Sequence, residues 1–139
     1  CNLGIFHVTD GVLTAVSSVR SSVATQKQML LTRFDALTQM LGGSLQITGA
    51  YPAWEYRRES ALREKLVEVY RAQTGKEPKI EAIHAGLECG LFAGQLPGLD
   101  CVSFGPDLVD IHTTREKMSI SSVQRTWQFL LGVLAALKD

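Results

Sequence analysis

The dipeptide Asp10-Gly11 constrains this chain more than any other short feature. Both residue types tolerate the positive φ that the central positions of a type I′ turn require. Such a turn folds the backbone into a twisted antiparallel ribbon. Asn2–Thr9 before it alternates, with Leu3, Ile5 and His7 on one side, and Val12–Val19 after it is rich in β-branched and small residues. A β-hairpin is therefore expected at the start of the chain.

Ser21 or Ser22 can cap a following helix that runs to about Leu41, because Leu30, Phe34, Leu37 and Leu41 recur at the spacing of one helical face. Gly42-Gly43 ends it in the manner of a C-terminal glycine cap. Ser44–Ala50 reads as a further strand, with Leu45 and Ile47 on one face. The order β-β-α-β over residues 1–50 is that of the end of a ferredoxin-like layer. Tyr51-Pro52-Ala53-Trp54 marks the boundary, since proline interrupts regular structure. Trp54, Tyr56, Arg57 and Arg58 are read as covering a domain junction, with a binding role as the alternative.

Residues 51–139 give the order α-β-α-β-α, so the whole chain is assigned to the α/β class. A helix from about Ser60 to Thr74 turns Leu62, Leu66, Val69 and Tyr70 inward, and its charged face is a solvated surface. Gly75 stops it, and a strand is expected over Lys79–Ile83. A short helix from Glu88 to Gln95 and a strand over Leu99–Phe104 follow. The last helix starts near Ser119–Ser122 and runs to Lys138. Its expected buried stripe is Val123, Trp127, Leu130, Leu131, Leu134 and Leu137, with Ser121 and Gln124 as a capping box.

Composition removes several functions. With 14 basic and 14 acidic residues the net charge is zero, which gives no support to a nucleic-acid partner. No apolar run reaches membrane-spanning length, and no signal-peptide pattern is present. Cys1, Cys89 and Cys101 lack the spacing of a zinc knuckle or a disulfide framework, so reduced thiols in a cytoplasmic protein are expected. Cys89 has no evident activating base nearby in sequence, which favours an inert thiol over a nucleophile. The first residue is Cys1, and strand pattern begins at once, so the chain is expected to start within a longer protein.

Chemistry concentrates in His84-Ala-Gly-Leu-Glu-Cys-Gly90, Ser103-Phe-Gly-Pro106 and Asp110-Ile-His-Thr-Thr-Arg-Glu116. Each follows or ends an expected strand, and ligands in open α/β sheets gather at the carboxyl ends of strands. Gly86, Gly90, Gly94 and Gly105 allow a turn or a close approach to a ligand. His112 can offer an imidazole to a metal, but one histidine is not a site, since zinc needs at least three protein ligands. Read on its residue type alone, His112 is more readily a surface or hydrogen-bonded side chain than a ligand.

The three motifs, in this order and ahead of an amphipathic last helix, resemble the C-terminal portion of the bacterial aminoacyl-histidine dipeptidases. These are dinuclear zinc enzymes of the carnosinase-like metallopeptidase superfamily. The resemblance spans essentially the whole chain and is densest from Ile80 to Gln124. It implies that residues 1–50 are the end of a lid and dimerisation domain, and that 51–139 are the C-terminal part of the catalytic domain. It further implies hydrolysis of Xaa-His dipeptides such as β-alanyl-histidine by metal-activated water, with two zinc ions per site in the complete enzyme.

Residue by residue, His112 matches the family's last zinc ligand. Arg20 matches the lid arginine that clasps the substrate carboxylate, against a surface strand residue as the plain alternative. Gly86 and Glu88 fall where relatives contact substrate. Asp110 is a candidate to orient His112, and Glu116 to brace the loop or the start of the last helix. His84 is a candidate for the outer shell of the site, or is packed against the sheet. No catalytic residue is assigned within the chain, and no HxD motif occurs in it. The remaining ligands and the general base would lie in an N-terminal part of the same enzyme, where an HxD motif and a Glu-Glu pair are expected. These residues alone are expected to be inactive, to bind zinc weakly and to self-associate through exposed apolar surface. The expected partners are a dipeptide, that N-terminal part and a second copy of the chain. Another superfamily member, such as a tripeptidase or deacylase, and a non-catalytic binding or dimerisation module are the alternatives.

Overall fold

The computed structural model describes residues 1–84 and 88–138. The described residues form a mixed α/β arrangement of four helices and two small antiparallel sheets. Its residues form two compact units, Cys1–Tyr56 with Ala82–Pro97 and Arg57–Glu81 with Gly98–Asp139.

In the first unit, β1 (Asn2–Thr9) and β2 (Val12–Ser18) form the expected hairpin. Asp10 and Gly11 take φ of 51° and 76°, as a type I′ turn demands. The register steps from Leu3↔Ser17 to Ile5↔Val16, so Gly4 sits in a bulge. Cross-strand partners share a face, so Leu3 lies with Ser17 and Ile5 with Val16, on opposite sides of the ribbon. The expected placement of Leu3 and Ile5 on one side is thus corrected by one inserted residue. Both faces of the hairpin expose large apolar side chains, among them Phe6, Val8, Val12 and Val16.

Helix α1 (Ala24–Met40) starts differently from expectation. Its N-cap residue is Val23, with no cap bond from its own side chain. Ser21 instead accepts from the Val23 N–H at 3.0 Å, and Glu55 accepts from the first helical N–H, that of Ala24, at 2.9 Å. The end is as predicted. Gly42 has φ 70°, its N–H bonds the Gln39 carbonyl, and the Gly43 N–H bonds the Thr38 carbonyl, the paired bonds of a Schellman motif. Of the expected stripe, Leu30 and Phe34 are half-buried, while Leu37 and Leu41 are exposed.

Helix α3 (Glu88–Gln95) lies in the same unit. A Cβ added at Gly90 would stand 3.2 Å from the Pro52 carbonyl oxygen and 3.5 Å from Trp54 Cβ, and one at Gly94 would stand 3.4 Å from Pro52 Cγ. These glycines therefore let α3 approach the chain's own 52–54 segment.

The second unit packs α2 (Ala61–Thr74) on α4 (Ile120–Ala136). Leu66 and Val133 are 6% and 4% exposed. Phe129 meets Tyr70 and Phe104 edge to face, with ring centroids 5.8 and 5.0 Å apart. The expected stripe of α4 is rotated. Of it, Leu130 is half-buried, while Val123, Trp127, Leu131, Leu134 and Leu137 are exposed, and the packed side carries Ser122, Phe129 and Val133. Helix α4 is apolar around much of its girth, so periodicity offers two faces and α2 covers one. Its cap is Ser119, whose Oγ accepts from the Ser122 N–H, in place of the expected Ser121–Gln124 box.

Three predicted strands, Ser44–Ala50, Lys79–Ile83 and Leu99–Phe104, have no strand pairing. Their composition suits a strand, but a ladder needs a neighbour, and the described residues supply none. One ladder went unforeseen. Leu108 pairs with Met118 and Val109 with Lys117, forming β3 (Leu108–Val109) and β4 (Lys117–Met118). None of the described helices is long and apolar enough to cross a membrane.

Candidate functional site

The β3–β4 stem carries the loop Asp110–Glu116, and with it His112. The stem is tied to the start of α4. The Ser119 N–H bonds the Asp107 carbonyl at 3.0 Å, the Asp107 N–H bonds Ser122 Oγ at 2.9 Å, and Arg125 pairs with the Asp107 carboxylate at 3.1 Å. Ser122, 3% exposed, is thus a buried hydroxyl whose bonds are made: it accepts from Asp107 and donates to the Ser119 carbonyl at 2.7 Å. The stem is thereby joined to the helix that carries the packed Phe129 and Val133.

Within the loop the backbone is bonded to itself. The Asp110 carbonyl accepts from the Thr113 N–H at 3.2 Å and from Thr113 Oγ1 at 2.7 Å. Thr113 Oγ1 in turn accepts from the Arg115 N–H at 3.1 Å, and the Glu116 N–H donates to the Thr113 carbonyl at 3.2 Å. The His112 N–H donates to Glu116 Oε2 at 2.7 Å. Asp110 and His112 have φ of 53° and 65°, the left-handed region that non-glycine residues seldom occupy. The His112 imidazole is exposed and makes no hydrogen bond to the described residues. Asp110 enters the loop's bonding through its carbonyl oxygen.

The other candidates belong to the first unit. Arg20 follows the end of β2, is exposed, and donates from Nε to Ser18 Oγ at 3.4 Å. No carboxylate among the described residues pairs with it. Glu88 is the first residue of α3, where a carboxylate suits the positive end of the helix dipole. His84 is exposed, which corrects the reading of it as packed against a sheet. Gly86 lies outside the described residues. Among the described residues no group of three or more His, Cys, Asp or Glu could hold a metal ion. A single exposed imidazole on an anchored loop fits the role of one ligand, and not of a complete site.

The sequence missed the structural partners of this loop. Asp107, Ser122 and Arg125 gave no pattern signal, since they meet only when the hairpin folds back onto α4. The Asp and His at positive φ are types enriched there, which was the available clue.

No family model matches the chain. The cytosol non-specific dipeptidase of Escherichia coli (strain K12) is 34% identical to it over 133 residues, covering 96% of this chain and 27% of that protein. The crystal structure of aminoacylhistidine dipeptidase from Vibrio alginolyticus matches it with a TM-score of 0.79 and 29% identity, over 97% of this chain and 28% of that one. Over nearly its whole length the chain is thus similar to part of two larger bacterial proteins, each named as a dipeptidase. It spans little more than a quarter of the length of either relative.

Proposed function

We propose that this chain is the C-terminal part of a zinc-dependent dipeptidase acting on Xaa-His dipeptides such as β-alanyl-histidine. The observation that most supports this reading is the agreement of sequence and structure comparisons, each covering nearly the whole chain and each reaching a protein named as a dipeptidase.

In this reading His112 donates one imidazole nitrogen to the metal, and the other ligands come from outside these residues. Zinc, when bound, supplies Lewis acidity and a water activated near neutral pH. Arg20 recognises the free carboxylate of the dipeptide, because a guanidinium presents paired donors that match a carboxylate fork. Gly86 and Glu88 contact the substrate. Asp110 and His84 are assigned to the surroundings of the site, Asp110 through the loop geometry that presents His112. The carboxylate that takes the proton from water also lies outside the chain, so residues 1–139 alone have no peptidase activity. The complete protein is cytoplasmic and a homo-oligomer in this account, and its remaining chain covers the apolar faces of the hairpin and α4 exposed here.

The test is hydrolysis by the complete gene product, with and without a zinc chelator. The substrates are β-alanyl-histidine, dipeptides lacking histidine, tripeptides and N-acyl amino acids. Chelator-sensitive cleavage confined to dipeptides, fastest with histidine second, is expected. Equal rates across dipeptides would remove the histidine preference and keep the reaction. Cleavage of tripeptides or acylated amino acids alone would replace the substrate class.

A further inference from the structure

Two observations on the 110–116 loop remain unexplained by a ligand role for His112. The first is that His112 holds φ 65°, a conformation that side-chain-bearing residues adopt at a cost and that accumulates at functional sites when the surroundings enforce it. The second is that its N–H is taken up by Glu116 Oε2 at 2.7 Å, a short hydrogen bond within the loop. Glu116 itself is anchored, since its N–H bonds the Thr113 carbonyl.

We propose that Glu116 is the positioning residue of His112: its carboxylate, by accepting the His112 N–H, selects the left-handed backbone that presents the imidazole to the metal. The inference rests on the reading of His112 as a zinc ligand. Without that bond, the exposed N–H exchanges its partner for water, and the ordinary negative-φ conformations become accessible. The imidazole then points elsewhere for part of the time. Metal affinity falls by the fraction of the population that leaves the competent state. The working feature is an acceptor at the Glu116 position, and the charge is secondary.

The experiment measures zinc affinity of the complete gene product by competition with a chromogenic chelator. Wild type is compared with Glu116→Ala, Glu116→Gln and His112→Ala. The alanine variant is expected to weaken zinc binding about 10- to 100-fold, the range seen when an outer partner of a metal ligand is removed. The glutamine variant, whose side-chain oxygen still accepts the N–H, is expected to stay near wild type. Amide hydrogen exchange at His112 in the metal-free protein is a second readout, and it should quicken in the alanine variant only. Wild-type affinity in Glu116→Ala would overturn the proposal, as would a glutamine variant as damaged as the alanine one. Should the alanine variant not fold, the glutamine variant decides alone, since lost affinity there overturns the proposal and kept affinity supports it. If His112→Ala leaves affinity unchanged, the ligand reading itself fails. If His112→Ala weakens binding and Glu116→Ala does not, the role of Glu116 alone fails.

Discussion

Ser60 and Asp100, 40 residues apart in the chain, close the N-terminus of α2 together: Ser60 Oγ donates to the Asp100 carboxylate at 2.8 and 3.0 Å. Ser60 Oγ also accepts from the Arg63 N–H at 3.0 Å, and Asp100 accepts from the Leu62 N–H at 3.1 Å. Two of the helix's unsatisfied N–H groups are thus met, and a carboxylate sits at the positive end of the dipole. Ser60 is 3% exposed, so its replacement also strands a bonded partner. Ser60→Ala is expected to lower stability by about 1–2 kcal/mol in denaturant unfolding. A loss within error of zero would show that water replaces the hydroxyl.

The same carboxylate makes stability depend on acid. Burial pushes the Asp100 carboxyl up, but the bonds from Ser60 and Leu62 and the charges of Arg57 and Arg63 outweigh it and hold the group below its ordinary value. The folded state then binds the proton less readily than the unfolded chain. This contribution is complete above the unfolded pKa of about 4 and is lost as pH falls through the lower folded value. Asp100→Asn is expected to be less stable than wild type at neutral pH, with the difference shrinking below about pH 4. A difference that is constant with pH would remove Asp100 as its source.

Gly132 of α4 faces Val69 and Gln73 of α2. A Cβ there would run into the Gln73 amide and stand 3.0 Å from Val69 Cγ1. Gln73 donates to the Gln128 carbonyl at 3.2 Å, so displacing it costs a bond as well as a contact. Gly→Ala inside a helix ordinarily gains about 1 kcal/mol, against about 1–3 kcal/mol for overpacking. Gly132→Ala is expected to be neutral to destabilising by about 2 kcal/mol. A gain of the full propensity value would show that the interface yields freely.

Local chemistry was legible in the sequence, and partner-dependent structure was not. Asp10-Gly11, Gly42-Gly43 and Ser60 with Gly75 set a hairpin, a helix end and a whole helix from residues close in sequence. Ser44–Ala50, Lys79–Ile83 and Leu99–Phe104 have strand composition without strand pairing, since a ladder depends on a neighbour that composition does not provide. The stripe of α4 failed for a related reason: Trp127 and Val133 both lie on apolar faces, and only the position of α2 decides between them. At the candidate site His112 was visible as a residue type within a motif. Glu116 was expected to brace the loop and does so through the His112 N–H, whereas the Asp107–Ser122 tie could be seen only in three dimensions.

The uncovered face of α4 has a consequence in solution. Ile120, Val123, Trp127, Leu131 and Leu134 recur at helical spacing, with Ile120 86% and Trp127 56% exposed. Residues 1–139 alone are expected to self-associate at micromolar concentration in sedimentation velocity, and Trp127→Gln with Leu134→Gln should shift the distribution toward monomer. A monodisperse monomer of the unmodified chain would contradict the proposed burial of this face in the complete protein.

The most direct test of the central claim is the rate of β-alanyl-histidine hydrolysis by the complete gene product, unmodified and as His112→Ala. Zinc-dependent hydrolysis that falls by at least about 100-fold in the variant, with its melting temperature little changed, is the predicted result. Hydrolysis unaffected by the substitution would take His112 out of the site and contradict the account.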